Sequence, residues 1–144
     1  MLADALFDPD LIVTSDDGTD ISLVVEFRAE DHSSETERLL KEYMLGMRCP
    51  LALVVTPRNV TVYRDEYESE STDSIHLVGR YPAPSGFASA GTGRLFENAA
   101  WRWLENLPSD VGFQSVPPEL RRVVQTHIVP ALMQGSLRAA GPRY

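Results

Sequence analysis

The chain has 144 residues, 43% of them hydrophobic, and a formal net charge of −8, which suits one globular domain with a sizeable core. That charge excludes a bulk basic surface, so binding to nucleic acid by backbone neutralisation alone is expected to be weak. No apolar run approaches the ~20 residues of a membrane span, and no basic segment leads into a long apolar one as in a signal peptide, so a cytoplasmic protein without membrane contact is expected.

Residues 1–8 allow a short helical turn that Pro9 limits, because a residue before proline is pushed out of the helical region. Leu11–Thr14 reads as a short strand. Ser15-Asp-Asp-Gly-Thr19 is a turn, with Asp-Gly as the hairpin signal. Asp20–Arg28 reads as a second strand. Side chains alternate along it with period two, so Ile21, Leu23, Val25 and Phe27 form an apolar face. Ser22, Val24, Glu26 and Arg28 form the other, and both faces are expected to be covered.

Glu30–Ser34 is a polar loop, and Ser34 with Glu37 three residues later is a capping-box pattern that starts a helix. Leu39, Leu40, Tyr43, Met44 and Met47 recur along it at helical spacing. Cys49-Pro50 closes the helix. Cys49 is the only cysteine, so no intrachain disulfide forms, and its simplest reading is a small partly buried hydrophobe. Leu51–Thr56 is a continuous apolar run and Val60–Arg64 alternates, with a tight turn at Pro57–Asn59 between them. The order strand, strand, helix, strand, strand lets the helix carry the chain across to a neighbouring strand, while the last two strands pair as a hairpin.

Asp65–Ser74 is acidic and serine-rich and reads as a loop. Ile75–Tyr81 is one further strand. Residues 82–93 are rich in Pro, Gly, Ser and Ala and read as a linker. A helical extension over 94–134 follows. Leu95, Phe96, Ala99, Trp103 and Leu107 make one stripe with Trp101 off it, and Leu120, Val123, Val124, His127, Ile128, Ala131 and Leu132 make another. Pro117-Pro118 opens that second helix and Pro130 is expected to kink or end it. A frayed tail is expected over 135–144. The domain reading is therefore a core at 1–81, a linker at 82–93, and an extension at 94–134 that packs on the core or on a partner subunit.

The costly feature is Glu26 with Arg28 on one face of an apolar strand, behind Asp10 at the head of the strand before it. Charges in such a place must be paired, hydrogen-bonded or bound to metal. One reading is a structural ion pair, with Asp10 as a strand-start residue. The other follows from a resemblance. Pro9-Asp10, a gap, Glu26-Phe-Arg28 at a strand end, then a helix and two strands resemble the PD-(D/E)XK nuclease superfamily, nearest its restriction-enzyme and Uma2-like branches, over about residues 8–65. That resemblance implies an α/β fold of restriction-endonuclease-like type: a mixed β-sheet flanked by helices, here with a helical C-terminal extension. It implies a divalent-metal-dependent nuclease, or a domain derived from one, acting on DNA phosphodiesters.

By the same resemblance Asp10 and Glu26 are the metal ligands, for Mg²⁺ or Mn²⁺, and Asp10, Glu26 and Arg28 the catalytic set. Magnesium commonly takes one or two carboxylates with water and phosphate. Arg28 stands where the family usually carries Lys. A guanidinium stays protonated and cannot act as a base, although it holds phosphate through two hydrogen bonds. Lys41, the only lysine, and Glu37 are auxiliary candidates on the following helix. A solvated face is the simpler reading for Lys41, and the capping box for Glu37. Asp4 and Asp8 precede the signature and read as surface residues. His32, His76 and His127 share no metal-ligand spacing. The alternative function is a non-catalytic interaction module that keeps the fold, with a homodimer formed through the C-terminal helices.

Overall fold

A computed structural model describes residues 9–30, 34–91 and 93–140. The expectations for residues 1–8, with Asp4 and Asp8, and for His32 lie outside these. Six strands form one mixed sheet in the order β5-β4-β3-β2-β1-β6. They are β1 (Leu11–Thr14), β2 (Ile21–Phe27), β3 (Leu51–Val55), β4 (Asn59–Asp65), β5 (Ile75–Pro82) and β6 (Ser136–Ala139). The helix α1 (Ser34–Met47) joins β2 to β3, which run parallel, and every other neighbouring pair is antiparallel. Among the described residues no helix is long and apolar enough to cross a membrane.

Both sheet faces are covered, which explains why β2 and β3 are almost uninterrupted apolar runs. One face carries α1, through Leu40 and Met44 packed on Val24, Ala52, Val54 and Tyr63, with Cys49 and Ile75 beside them. The buried Cys49 thiol has its pKa pushed up to about 12 by desolvation, and it is a packed hydrophobe rather than a reactive group. The other face carries the C-terminal helices: α2 (Ser85–Ser89), α3 (Arg94–Asn106), α4 (Asp110–Gln114), α5 (Pro118–Val123) and α6 (Val129–Leu132). Phe87, Phe96, Trp103, Leu104, Leu120 and Ile128 join Leu23, Val25, Phe27, Leu53 and Val62 in a single core cluster.

Several details differ from the sequence expectation. Ser85–Ser89, within the proline- and glycine-rich stretch, is helical and buries Phe87. Residues 136–139, expected to fray, pair with β1 as an antiparallel edge strand. Leu137 is the only strongly apolar residue there, so the segment carries no periodic signal; the open edge of β1 recruits it. Pro130 does not end its helix. The chain widens into a π-helical turn at Val124–Ile128, where Val129 N–H bonds the Val124 carbonyl, and continues into α6. This accommodates the N–H that proline lacks. On α3 the buried stripe is Phe96, Ala100, Trp103 and Leu104, while Leu95 is exposed.

A register shift between Val13 and Thr14 also corrects the face assignment at the start of β2. A bulge inserts one residue and reverses the alternation on one side of it. Ile21 therefore packs with the α1 cluster, and Ser22 donates a hydrogen bond to the Ala131 carbonyl on α6.

The β1–β2 turn is organised by Asp17. Its carboxylate accepts hydrogen bonds from the Ser15 hydroxyl, the Thr19 amide and the Thr19 hydroxyl, and Gly18 supplies a φ of 76°. These bonds lower the Asp17 pKa from 3.8 to about 2. A carboxylate held low in the folded state stabilises it above the unfolded pKa, and that contribution is lost as pH falls through the folded value. Asp17→Asn should therefore flatten the acid decline of Tm between pH 3.8 and about 2. Thermal melts of both proteins across that window check it; parallel declines would refute the assignment.

Candidate functional site

Asp10, Glu26 and Arg28 come together where β1 begins and β2 ends. Leu11 at the head of β1 pairs with Val25, and Asp10 lies one residue before it, beside the end of β2 that carries Glu26. The Asp10 amide bonds the Val25 carbonyl at 3.0 Å, and its carboxylate accepts the Phe27 N–H at 2.7 Å. The side chain thus takes the place of a backbone carbonyl and closes the ladder. Asp10 is anchored to the same two-residue step that carries Glu26.

Glu26 is buried, with 8% of its surface exposed, and its Oε2 lies 3.2 Å from Arg28 Nε. Arg28 is half-exposed. Its amide continues the parallel ladder to the Val55 carbonyl, and its Nη2 donates to the Thr36 hydroxyl on the first turn of α1 at 2.9 Å. The guanidinium is held at two points, by the strand that carries it and by the helix that follows. The arrangement offers two carboxylates at one sheet end with a positive fork beside them. Among the described residues no group of three or more His, Cys, Asp and Glu is clustered so as to hold a metal ion.

The auxiliary candidates occupy their own cluster further along α1. Lys41 does not lie on a solvated face: its ammonium is 2.9 Å from Glu37 and 5.7 Å from the centre of the Tyr63 ring. The helix buries Thr36, Leu40 and Met44, so its inward stripe is rotated from the expected one and Lys41 falls on the flank of the sheet. Met47, counted in the expected stripe, is 49% exposed. Ser34 is already helical, and the residues before it lie outside the described ones. Glu37 accepts the Tyr63 hydroxyl at 3.2 Å. Burial, with the Glu37 charge next, raises the Tyr63 pKa and keeps that phenol a donor.

The two described histidines stay apart. His76 pairs with Glu68 on the surface at 2.6 Å, and His127 is half-buried on the π turn. Sequence reasoning missed Thr36, which no motif marks but which fixes the guanidinium, and Tyr63, whose alternating strand pattern hid its role in holding Glu37. Comparison with protein-family models, with curated proteins and with solved structures finds no match, so the case for this site rests on its own geometry.

Proposed function

We propose that the chain is a nuclease-like or nuclease-derived domain of PD-(D/E)XK type. In this reading Asp10 and Glu26 hold a divalent cation, Mg²⁺ or Mn²⁺, and Arg28 grips a DNA phosphate. The observation that carries it is the anchoring of Asp10 to Val25 and Phe27, the residues on either side of Glu26, with Arg28 two residues on and paired to Glu26. An acidic pair with a cation suits magnesium, which takes few protein carboxylates and completes its shell with water and phosphate. The bound ion would polarise the phosphate and lower the pKa of an attacking water. Arg28, being always protonated, would stabilise charge and orient the phosphate.

A second reading, a non-catalytic interaction module, is favoured by one observation. Arg28 is tied to Glu26 and Thr36, and the only lysine is tied to Glu37, so among the described residues no evident base attends the carboxylates. Dimerisation through the C-terminal helices would then use the apolar residues they leave exposed, Leu95 and Val111.

The two readings separate in one set of measurements. The protein is incubated with plasmid and single-stranded DNA plus Mg²⁺ or Mn²⁺, and melted with and without each ion. The first reading expects metal-dependent cleavage and a metal-dependent rise in Tm, both removed by Glu26→Gln and by Asp10→Asn. Cleavage that survives either substitution would overturn the site. No response to metal, together with sedimentation as an oligomer, would favour the second reading.

A further inference from the structure

At the opposite end of the sheet from Arg28, a cleft of about 490 Å³ opens where β2 and β3 begin. Ser22 and Arg28 are separated by six residues of extended chain, roughly 20 Å, so the two sites are distinct. The cleft is walled by Arg48 at the end of α1, by Arg64 and Tyr67 at the end of β4, and by Thr126 and His127 on the π turn. Its volume falls within the range of small-molecule sites.

Three unusual backbone features meet on this one cleft. Arg48 (φ 55°) and Tyr67 (φ 57°) are the only non-glycine residues with positive φ among the described residues, and both line it. The third feature is the π-helical turn. Arg48 sits at the position just past α1 where glycine is usual: Cys49 N–H reaches the Met44 carbonyl and Arg48 N–H the Leu45 carbonyl, a Schellman closure. Glycine there would be unstrained. Strained residues and π turns concentrate at functional sites, and these three lie far apart in sequence yet line one cleft.

The chemistry is asymmetric. Arg48 has no ion-pair partner among the described residues and presents five donors. Arg64 is already held by both Glu66 oxygens at 3.0 Å. Asp20 is the acidic residue of the lining and is exposed. Desolvation, then Arg64, lowers the His127 pKa against the opposing pull of Glu66, and burial raises that of the Tyr67 phenol. At neutral pH both are uncharged hydrogen-bonding groups. Leu51, Pro130 and Ala131 supply an apolar part of the lining.

We infer that this cleft binds a small organic anion, a carboxylate or phosphate monoester on a ring-sized apolar body, with Arg48 taking the oxyanion. A planar guanidinium fork matches either group, and the apolar lining takes the body. Phenyl phosphate and benzoate are the probes, with inorganic phosphate and phenol as their separate halves, titrated to ~10 mM, the range of weak small-ligand affinity. Binding is followed by ¹⁵N–¹H NMR. One or both organic anions should shift the amides of Arg48, Tyr67 and His127 saturably, and phenyl phosphate or benzoate should bind more tightly than either half. Arg48→Gly should weaken binding at least about tenfold, the scale of one lost charge-assisted contact, with a Tm no lower than the parent's. Arg48→Asn, which also tolerates left-handed backbone, should behave alike. No saturable shift, parental affinity retained in the two variants, or inorganic phosphate binding as tightly as phenyl phosphate would each overturn the assignment.

Discussion

Phe96→Ala should cost about 3–5 kcal/mol, the range for truncating a buried aromatic. Phe96 is 1% exposed, and its ring meets Phe27 at 5.9 Å and Phe87 at 5.8 Å, both edge-on. Deleting it removes the ring contact between α3 and Phe27 of β2, and it strips Phe87 of a partner. A domain of this size has about 5–15 kcal/mol in total, so the loss consumes a large share and should lower Tm by roughly 10 °C. Leu95→Ala, one residue away but 71% exposed, should stay within about 0.5 kcal/mol. Trp101 and Trp103 lie on α3, so tryptophan fluorescence reports the helical layer while circular dichroism reports the whole chain. Coincident transitions are expected, because the helices and the sheet share one apolar cluster. A fluorescence transition that moves in Phe96→Ala while the sheet signal stays put would show that the helical layer melts by itself.

The sheet was readable where one local rule governs it. Val24 to Phe27 and Leu51 to Val55 are apolar enough to announce strands, and Asp17-Gly18 marks the hairpin before β2. The α1 crossover follows because parallel neighbours need a long connection. What stayed hidden depends on partners distant in sequence. β6 exists because β1 has an open edge, and Ser136–Ala139 has no pattern of its own. The bulge beside Thr14 that turns Ser22 toward α6 leaves no mark in a six-residue window. The α1 stripe was misjudged because Leu39 and Met47 fall within the apolar arc of a helical wheel, although the helix is seated on Leu40 and Met44. At the candidate site the residue types were legible but the company was not. That Asp10 reaches the Phe27 amide and Arg28 reaches Thr36 requires the register of two strands and the start of a helix. The cleft at the other end of the sheet was invisible, since left-handed backbone at Arg48 and Tyr67 is set by the turns that hold them.

On the proposed nuclease reading, Arg28→Lys should raise metal-dependent DNA cleavage by about a hundredfold, the scale on which a positioned proton-transfer or charge-stabilising group acts. The argument rests on what Arg28 does now. Its guanidinium spans Glu26 and Thr36, and it cannot give up a proton. An ammonium is compact, carries three rotatable donors, and shifts its pKa readily near buried groups. It could keep the Glu26 contact while presenting one N–H to an attacking water. Losing the Thr36 bond should cost little, about 0.5–1.5 kcal/mol, because Arg28 is 42% exposed and water can replace it. Fold loss would therefore not mask the result, and a melt of the variant verifies that. Single-turnover cleavage with Mn²⁺ separates the chemical step from binding. A gain confined to that step, absent from Arg28→Lys combined with Glu26→Gln, would mean that position 28 limits water activation. Equal rates in Arg28→Lys and the parent would mean that the lysine is not what this site lacks, and would move the balance toward the interaction module.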